Sequence, residues 1–184
     1  MKRAARVVRR AARLALLWVA LAAAAPPEPG GYRNDAYRAP TPATLKGARV
    51  LIAAEAHALW TSKSAAFIDV LPQPPRPKNL PKGVLWRDKP RDDIPGSLWL
   101  PDTGYGELAP STLAYFAAGL KKASGGDINR PLVFYCQREC WMSWNAARRA
   151  LTLGYKSVDW FPDGADGWRD AGYPLERRTP EPRP

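Results

Sequence analysis

The chain has only two cysteines and a single histidine among its 184 residues. Structural zinc sites take four ligands from these residue types, so His57 and the two cysteines form a poor ligand set. A c-type haem attachment site has the pattern C-x-x-C-H. Cys136 and Cys140 are instead spaced C-x-x-x-C, and Trp141 follows where the haem ligand would stand. The sequence therefore predicts no metal site and no bound cofactor.

Long hydrophobic runs are also absent beyond the first residues of the chain. The apolar run from Leu14 to Ala25 is short for a bilayer span. It ends in small residues and follows a basic stretch, which is typical of a secretory signal peptide. We therefore expect residues 1–25 to be a signal peptide and the mature protein to be periplasmic, without a stable membrane span. An uncleaved anchor is the alternative, because Pro26 and Pro27 crowd the cleavage site.

A strong positive charge at first suggests a nucleic-acid-binding protein, since the formal net charge is +11. Six of the basic residues lie in the leader, however, and the rest of the chain has 22 Lys and Arg against 17 Asp and Glu. This smaller excess is scattered along the sequence and forms no basic stripe. The charge distribution therefore argues against nucleic acid as a partner.

Apolar β-prone runs alternate with helical patterns through the rest of the chain. Such alternation predicts an α/β domain with a mostly parallel sheet. Ser111 and Thr112 offer N-caps for the middle helix, and Gly125 is expected to end it. The predicted strands are 47–52, 65–70, 98–100, 132–135 and 156–160, and the predicted helices are 53–60, 113–124 and 144–153.

The segments around these elements set the domain boundaries. Residues 26–46 contain the Pro- and Gly-rich stretch from Pro26 to Pro42, and we predict a linker or an arm lying on the domain. The segment from Leu71 to Pro95 contains seven prolines and many charges, so we expect no regular element in it. The domain itself is predicted to span residues 47–176, and residues 177–184 are predicted to form a disordered tail.

The segment from Pro131 to Trp141 is the best candidate for chemistry. An apolar strand there delivers Cys136 into a loop that opens a helix, whose first amides favour a thiolate. Arg138 would add to this effect, whereas Glu139 would oppose it. Residues four apart on a helical turn have Cα atoms roughly 6 Å apart, within the range of a disulfide. A bridge to Cys140 would close a very small loop, so a catalytic or redox role is favoured over a structural one.

An ordered set of short motifs runs through roughly residues 47–176. The set comprises Phe67-Ile68-Asp69-Val70, Ile94-Pro95-Gly96-Ser97, Leu132-Val133-Phe134-Tyr135-Cys136, Ala146-Ala147 through Leu151 to Gly154-Tyr155, Val158, Gly164, and Trp168 with Ala171-Gly172-Tyr173-Pro174. In this order the motifs resemble the rhodanese-like family. The form CQRECWMSWNAARRA further resembles a group of exported rhodanese-like proteins, named for a cysteine-cysteine-tryptophan (CXXCW) motif and associated with pyrroloquinoline-quinone (PQQ)-dependent catabolism.

This resemblance implies a three-layer α/β/α sandwich with a mostly parallel five-stranded sheet. It also implies that Cys136 is a nucleophile, which takes a sulfane sulfur from a small donor such as thiosulfate and carries it as a persulfide. Asp69 and Trp144 would support the site. The anion and substrate loop would comprise Gln137, Arg138, Glu139, Trp141, Met142 and Ser143.

The loop departs from the family pattern in ways that leave three functions open. It is one residue longer, lacks the usual glycine and carries Cys140, which is either a resolving thiol or a small buried hydrophobe. Leu71 also stands where relatives often carry arginine. The protein is then a sulfurtransferase, a non-catalytic binding module for a quinoprotein dehydrogenase or its c-type cytochrome, or a thiol–disulfide redox protein that uses both cysteines on a thiol substrate.

Overall fold

The computed structural model describes residues 25–74, 77–85, 87 and 90–183. The predicted signal peptide therefore lies outside the described residues, apart from Ala25. Within the described ranges, no helix combines the length and the apolar character needed to cross a membrane. The elements are β1 (Arg49–Val50), α1 (Ala53–Thr61), β2 (Ala66–Asp69), β3 (Arg91–Asp93), β4 (Leu98–Trp99), α2 (Pro110–Ser124), β5 (Leu132–Tyr135), α3 (Trp141–Thr152), β6 (Val158–Trp160), α4 (Gly164–Asp170) and β7 (Glu176–Arg178).

Five strands form one parallel sheet in the order β1-β6-β5-β2-β4. The central strand β5 reads Leu-Val-Phe-Tyr and is buried throughout, as expected of a parallel strand covered on both faces. Leu132 and Phe134 pack into the core formed with α2 and α3, whereas Val133 and Tyr135 pack into the core formed with α1 and α4. The predicted α/β/α sandwich with a parallel five-stranded sheet is confirmed.

Two helix starts differ from the sequence prediction. Helix α2 begins at Pro110 after Ala109, because proline fits the first helical position, where its missing N–H costs nothing. The proposed caps Ser111 and Thr112 therefore lie inside the helix. Helix α3 begins at Trp141, three residues before the predicted start, and Cys140 precedes it in an extended conformation.

The predictions for the proline-rich segment and for the tail were wrong. Strand β3, inside the proline-rich segment, pairs antiparallel with β7, which extends into the predicted tail. The backbone N–H of Glu181 then bonds the carbonyl of Trp99 at 2.9 Å, and Arg183 pairs with Asp102 at 2.6 Å. Proline is absent from the three residues of β3, so their amides remain available for pairing.

Candidate active site

Cys136 and Cys140 form a disulfide at the carboxyl end of the central strand. Their Cα atoms are 6.4 Å apart, so the separation that permits a disulfide is confirmed, although the two residues lie in a loop before α3 and not on a helical turn. Cys136 directly follows β5, and Cys140 is the N-cap of α3. Cys136 is 0% and Cys140 2% exposed to solvent. The two sulfur atoms are therefore juxtaposed, but solvent does not reach them in this state.

Residues 26–46, hereafter the arm, lie across this loop. The carbonyl of Tyr37 accepts from the Trp141 amide at 3.0 Å. The indole Nε1 atoms of Trp141 and Trp144 donate to the carbonyls of Pro40 and Thr44, each at 3.1 Å. Both tryptophans assigned to the site from the sequence are thus buried anchors for the arm.

A buried asparagine that sequence reasoning missed pins the middle of the arm. The Oδ1 atom of Asn145 accepts from the Arg33 amide at 2.9 Å, and its Nδ2 atom donates to the Arg33 carbonyl at 2.9 Å and to that of Gly104 at 3.0 Å. Asn145 lies on α3, one turn after Trp141. The side-chain amide of Asn145 therefore makes both a donor and an acceptor hydrogen bond to the main chain of Arg33, as a paired strand would. It connects the arm to α3, the helix that follows the cysteine loop.

Two of the main-chain amides expected to face a substrate anion are already bonded. The Arg138 amide donates to Asp166 Oδ2 at 3.1 Å, and the Trp141 amide to Tyr37. Gln137 pairs through its main chain with Gly164. A side chain at Gly164 would bring its Cβ within 2.6 Å of the Cys136 carbonyl oxygen, so only glycine allows this close approach. In the disulfide state, protein groups therefore occupy the amides of Arg138 and Trp141.

The two charged residues of the loop point away from the cysteines. Arg138 pairs with Asp170 at 2.7 Å and with Asp163 at 3.4 Å, so the expected stabilisation of a Cys136 thiolate by Arg138 is not what the structure shows. Hydrogen bonding to Asp170 raises the pKa of Arg138. Glu139 is exposed and has φ +52°, in the left-handed region that favours glycine. The loop therefore places glutamate where a glycine conformation is required.

This backbone strain gives a direct stability prediction. Glu139→Gly is expected to raise the free energy of unfolding by about 1 kcal/mol, because the left-handed conformation costs a non-glycine residue energy. Chemical denaturation measures the effect, with Arg138→Gly as the matched control at a position without positive φ. The control should lower stability. Equal destabilisation by both variants would contradict this account of the loop.

Met142 and Ser143, also assigned to the substrate loop, are occupied by packing. Met142 is 4% exposed, and a Cβ on Gly104 would lie only 2.6 Å from the Met142 Cβ. The hydroxyl of Ser143 donates to the Cys140 carbonyl at 3.1 Å and accepts from Trp160 Nε1 at 3.0 Å. Both residues fix the start of α3 and leave no polar group facing an open site.

Asp69 is held behind the loop by an arginine that the sequence did not single out. The carboxylate is fully buried, accepts from the Leu71 amide at 2.8 Å, and forms an ion pair with Arg91 Nε. The Nη2 atom of Arg91 also donates to the Cys136 carbonyl at 2.8 Å. Arg91 comes from β3, in the segment where no element was expected. It connects the predicted supporting carboxylate to the main chain of Cys136.

The carboxylate of Asp93 is also buried and is subject to the positive charge of Arg91. Asp93 accepts from the Tyr135 hydroxyl, which lies 2.7 Å from Ser97 Oγ. Burial, together with the neighbouring Asp93, raises the pKa of Asp69 well above its ordinary value, and burial raises the pKa of Asp93. Burial likewise raises the pKa of Tyr135. One guanidinium thus faces two buried carboxylates.

The described residues contain no group of three or more His, Cys, Asp or Glu side chains that could hold a metal ion. The reactive groups that the structure brings together at this edge of the sheet are the two sulfur atoms. Reduction would leave two thiols in bonding range in the loop that precedes α3, and the amino end of a helix stabilises a nearby thiolate.

Comparison with known proteins gives similarity to solved structures alone. No protein-family model matches the chain, and no curated protein matches it. The polysulfide-sulfur transferase homodimer of Wolinella succinogenes is 17% identical, with 72% of this chain and 81% of that chain covered and a TM-score of 0.46. A Rhodopseudomonas palustris protein of unknown function, a possible tyrosine phosphatase, is 23% identical, with coverages of 70% and 85% and a TM-score of 0.43. A human single-domain sulfurtransferase is 22% identical, with coverages of 67% and 96% and a TM-score of 0.40.

Proposed function

We propose that the protein is a rhodanese-like sulfurtransferase in which Cys136 carries the sulfur and Cys140 releases it. The observation that carries the proposal is the disulfide between these residues at the carboxyl end of β5. A cysteine that only filled space would not need to lie in bonding range of the nucleophile. The juxtaposition therefore favours a resolving thiol over a packed hydrophobe for Cys140.

The proposed reaction starts from the reduced protein and a small sulfane-sulfur donor such as thiosulfate. The Cys136 thiolate attacks the outer sulfur of thiosulfate, the sulfur–sulfur bond of the donor breaks, and sulfite leaves with the electron pair. A persulfide then remains on Cys136. This first step needs an accessible thiolate, which the amino end of α3 stabilises.

Cys140 completes the reaction as a thiolate. It attacks Sγ of Cys136, the bond from that atom to the outer sulfur breaks, and the outer sulfur leaves as hydrogen sulfide. The two cysteines are oxidised to the disulfide and the outer sulfur is reduced to sulfide. An external dithiol must reduce the disulfide, becoming a disulfide itself, before another cycle begins.

Arg91 acts as a positioning residue in this scheme. Its guanidinium holds the Cys136 carbonyl while Asp69 holds the guanidinium. These contacts fix the main chain of Cys136 at the edge of the sheet. The sulfur atom of Cys136 then moves only by rotation of its side chain. The buried ion pair supports the geometry of attack without touching the donor.

Intact-mass measurement of the reduced protein with thiosulfate tests the proposal. The wild type should end as the disulfide, Cys140→Ser should hold one extra sulfur atom, and Cys136→Ser should remain unmodified. An adduct that forms equally on Cys136→Ser would overturn the assignment of the nucleophile. Glu107→Gln, an exposed substitution outside the loop, controls for the substitution itself and should behave as the wild type.

We propose further that the mature protein works in the periplasm and serves PQQ-dependent alcohol catabolism. The supports are the leader pattern of residues 1–25 and the resemblance of CQRECWMSWNAARRA to the exported group. A quinoprotein dehydrogenase or its c-type cytochrome is the proposed partner. Fractionation of cells that express the full chain should find the shortened protein in the periplasm. Recovery of full-length protein in the cytoplasm would contradict this location.

A non-catalytic binding module is the second candidate, favoured by the burial of the disulfide and by the bonded amides of the loop. It predicts that Cys136 stays inert toward thiosulfate after full reduction. If Cys136 takes no sulfur but the disulfide exchanges readily with dithiols, the protein is a thiol–disulfide redox protein instead. The mass experiment separates these outcomes.

A further inference from the structure

We propose that the arm is a redox-controlled cover for the cysteine loop. It is closed for most of the time while the Cys136–Cys140 disulfide is present, opens transiently to admit a dithiol that reduces that bond and is itself oxidised to a disulfide, and stays open once the bond is reduced. This inference deepens the proposed function and rests on it, because only a pair of cysteines that cycles between two states has use for such a cover.

Cys140 is the point at which the disulfide and the arm meet. Its side chain is bonded to Cys136, and its main chain forms an antiparallel bridge with Arg38 of the arm. The next amide, that of Trp141, holds the Tyr37 carbonyl at 3.0 Å. A rotation of the main chain at Cys140 would therefore disturb both contacts together.

The disulfide holds the main chain in the conformation that these contacts require. It limits the Cα separation of the cysteines to 6.4 Å, and Glu139 between them lies at φ +52°. Once the cross-link is broken, Glu139 is free to return to a negative φ, which a non-glycine residue prefers. That return would turn Cys140 away from Arg38 and release the arm.

Opening is needed for chemistry because both cysteines are buried while the arm is bonded to the loop. Thiol–disulfide exchange requires a thiolate to approach the sulfur that it attacks, yet the cysteines are 0% and 2% exposed. Release of Tyr37 would also free the Trp141 amide to donate to an anionic sulfur donor. The reduced, open state is thus the one that accepts substrate.

Hydrogen exchange of single amides tests the cover directly. On reduction, the amides of Arg33 and Trp141, which bond Asn145 and Tyr37, should exchange at least about tenfold faster. The Leu51 amide, bonded to Trp160 in the sheet, should keep its protection. The double variant Cys136→Ser, Cys140→Ser should match the reduced protein. Unchanged protection of Arg33 and Trp141 in both cases would overturn the proposal.

The coupling must also work in reverse, because two linked equilibria influence each other equally. Asn145→Ala, which loosens the arm, should raise the equilibrium constant for reduction by dithiothreitol about tenfold, or about 30 mV. Tyr37→Ala, on the arm itself, should act in the same direction. Leu120→Ala lowers stability from the buried face of α2, away from the arm, and should leave the constant unchanged.

The coupling would be contradicted if the arm variants had the same equilibrium constant for reduction as the wild type. It would also be contradicted if Leu120→Ala changed that constant as much as the arm variants do. Neither experiment contains a sulfur donor. A protein that fails to take sulfur from thiosulfate but shows both effects would refute the proposed function and keep the cover. A protein that takes sulfur from thiosulfate while its arm stays closed on reduction would support the proposed function and refute the cover.

Discussion

Replacing Arg91 with methionine is expected to lower the free energy of unfolding by about 3–5 kcal/mol at neutral pH. The side chain is 14% exposed, and its guanidinium is the cation paired with fully buried Asp69. Its loss would leave the carboxylates of Asp69 and Asp93 buried without that partner. Denaturant unfolding at neutral pH measures the change.

Arg177→Met is the matched control on the strand that pairs with β3. Its ion pair with Asp92 is long, at 3.9 Å, and both side chains are mostly exposed. Such surface pairs contribute about 0–1 kcal/mol. Similar losses in the two arginine variants would show that Arg91 is no more than a surface charge.

The same cluster predicts how stability depends on pH. Burial raises the pKa of Asp69 and of Asp93 above the ordinary value of 3.8, so the folded protein binds these protons more tightly than the unfolded chain. This contribution to stability is present at low pH and is lost as the pH rises through the raised values. Asp93→Asn should make the decrease in the free energy of unfolding with pH less steep, and Arg91→Met should make it steeper. Unfolding curves measured upward from about pH 4, just above the ordinary value of about 3.8, measure the slope.

Cys140→Ser is expected to increase thiocyanate formation from thiosulfate and cyanide at least about 100-fold. In the proposed mechanism, Cys140 of the wild type attacks the persulfide within the molecule, and well-placed intramolecular groups act at effective concentrations far above those of any added reagent. The persulfide is then lost as sulfide before cyanide can take its sulfur. The serine variant keeps the persulfide available.

Cys136→Ser is the control for this gain, because it removes the sulfur carrier and should form no thiocyanate above background. The reaction is followed over several turnovers with excess donor and acceptor. A Cys140→Ser variant slower than the wild type would contradict the resolving role, since it would place Cys140 in the transfer to the acceptor itself.

The fold was largely predictable because its strongest signals are local. The apolar run before Cys136 reads as a buried strand from its own four residues, and Gly125 ends α2 in the left-handed conformation that the Gly pair suggested. The C-x-x-x-C spacing of the two cysteines was enough to indicate that a disulfide between Cys136 and Cys140 is possible. In each case, the residues that form the feature are neighbours in sequence.

The missed features depend on contacts that are distant in sequence. Arg91 is 45 residues from Cys136, and Asn145 is 112 residues from Arg33. The prolines around β3 hid a strand that exists only because β7 pairs with it. An asparagine near the start of a helix gives no sign of the arm that it binds. The contacts of the arm with the cysteine loop were therefore invisible at the level of the sequence.

The ratio of sulfide released to disulfide formed tests the central claim most directly. Reduced wild-type protein, freed of excess dithiol, is mixed with thiosulfate, and sulfide, sulfite and disulfide are measured together. The account predicts equal amounts of all three, and from Cys140→Ser it predicts sulfite without sulfide. Sulfide release from Cys140→Ser equal to that from the wild type would show that Cys140 does not resolve a persulfide on Cys136.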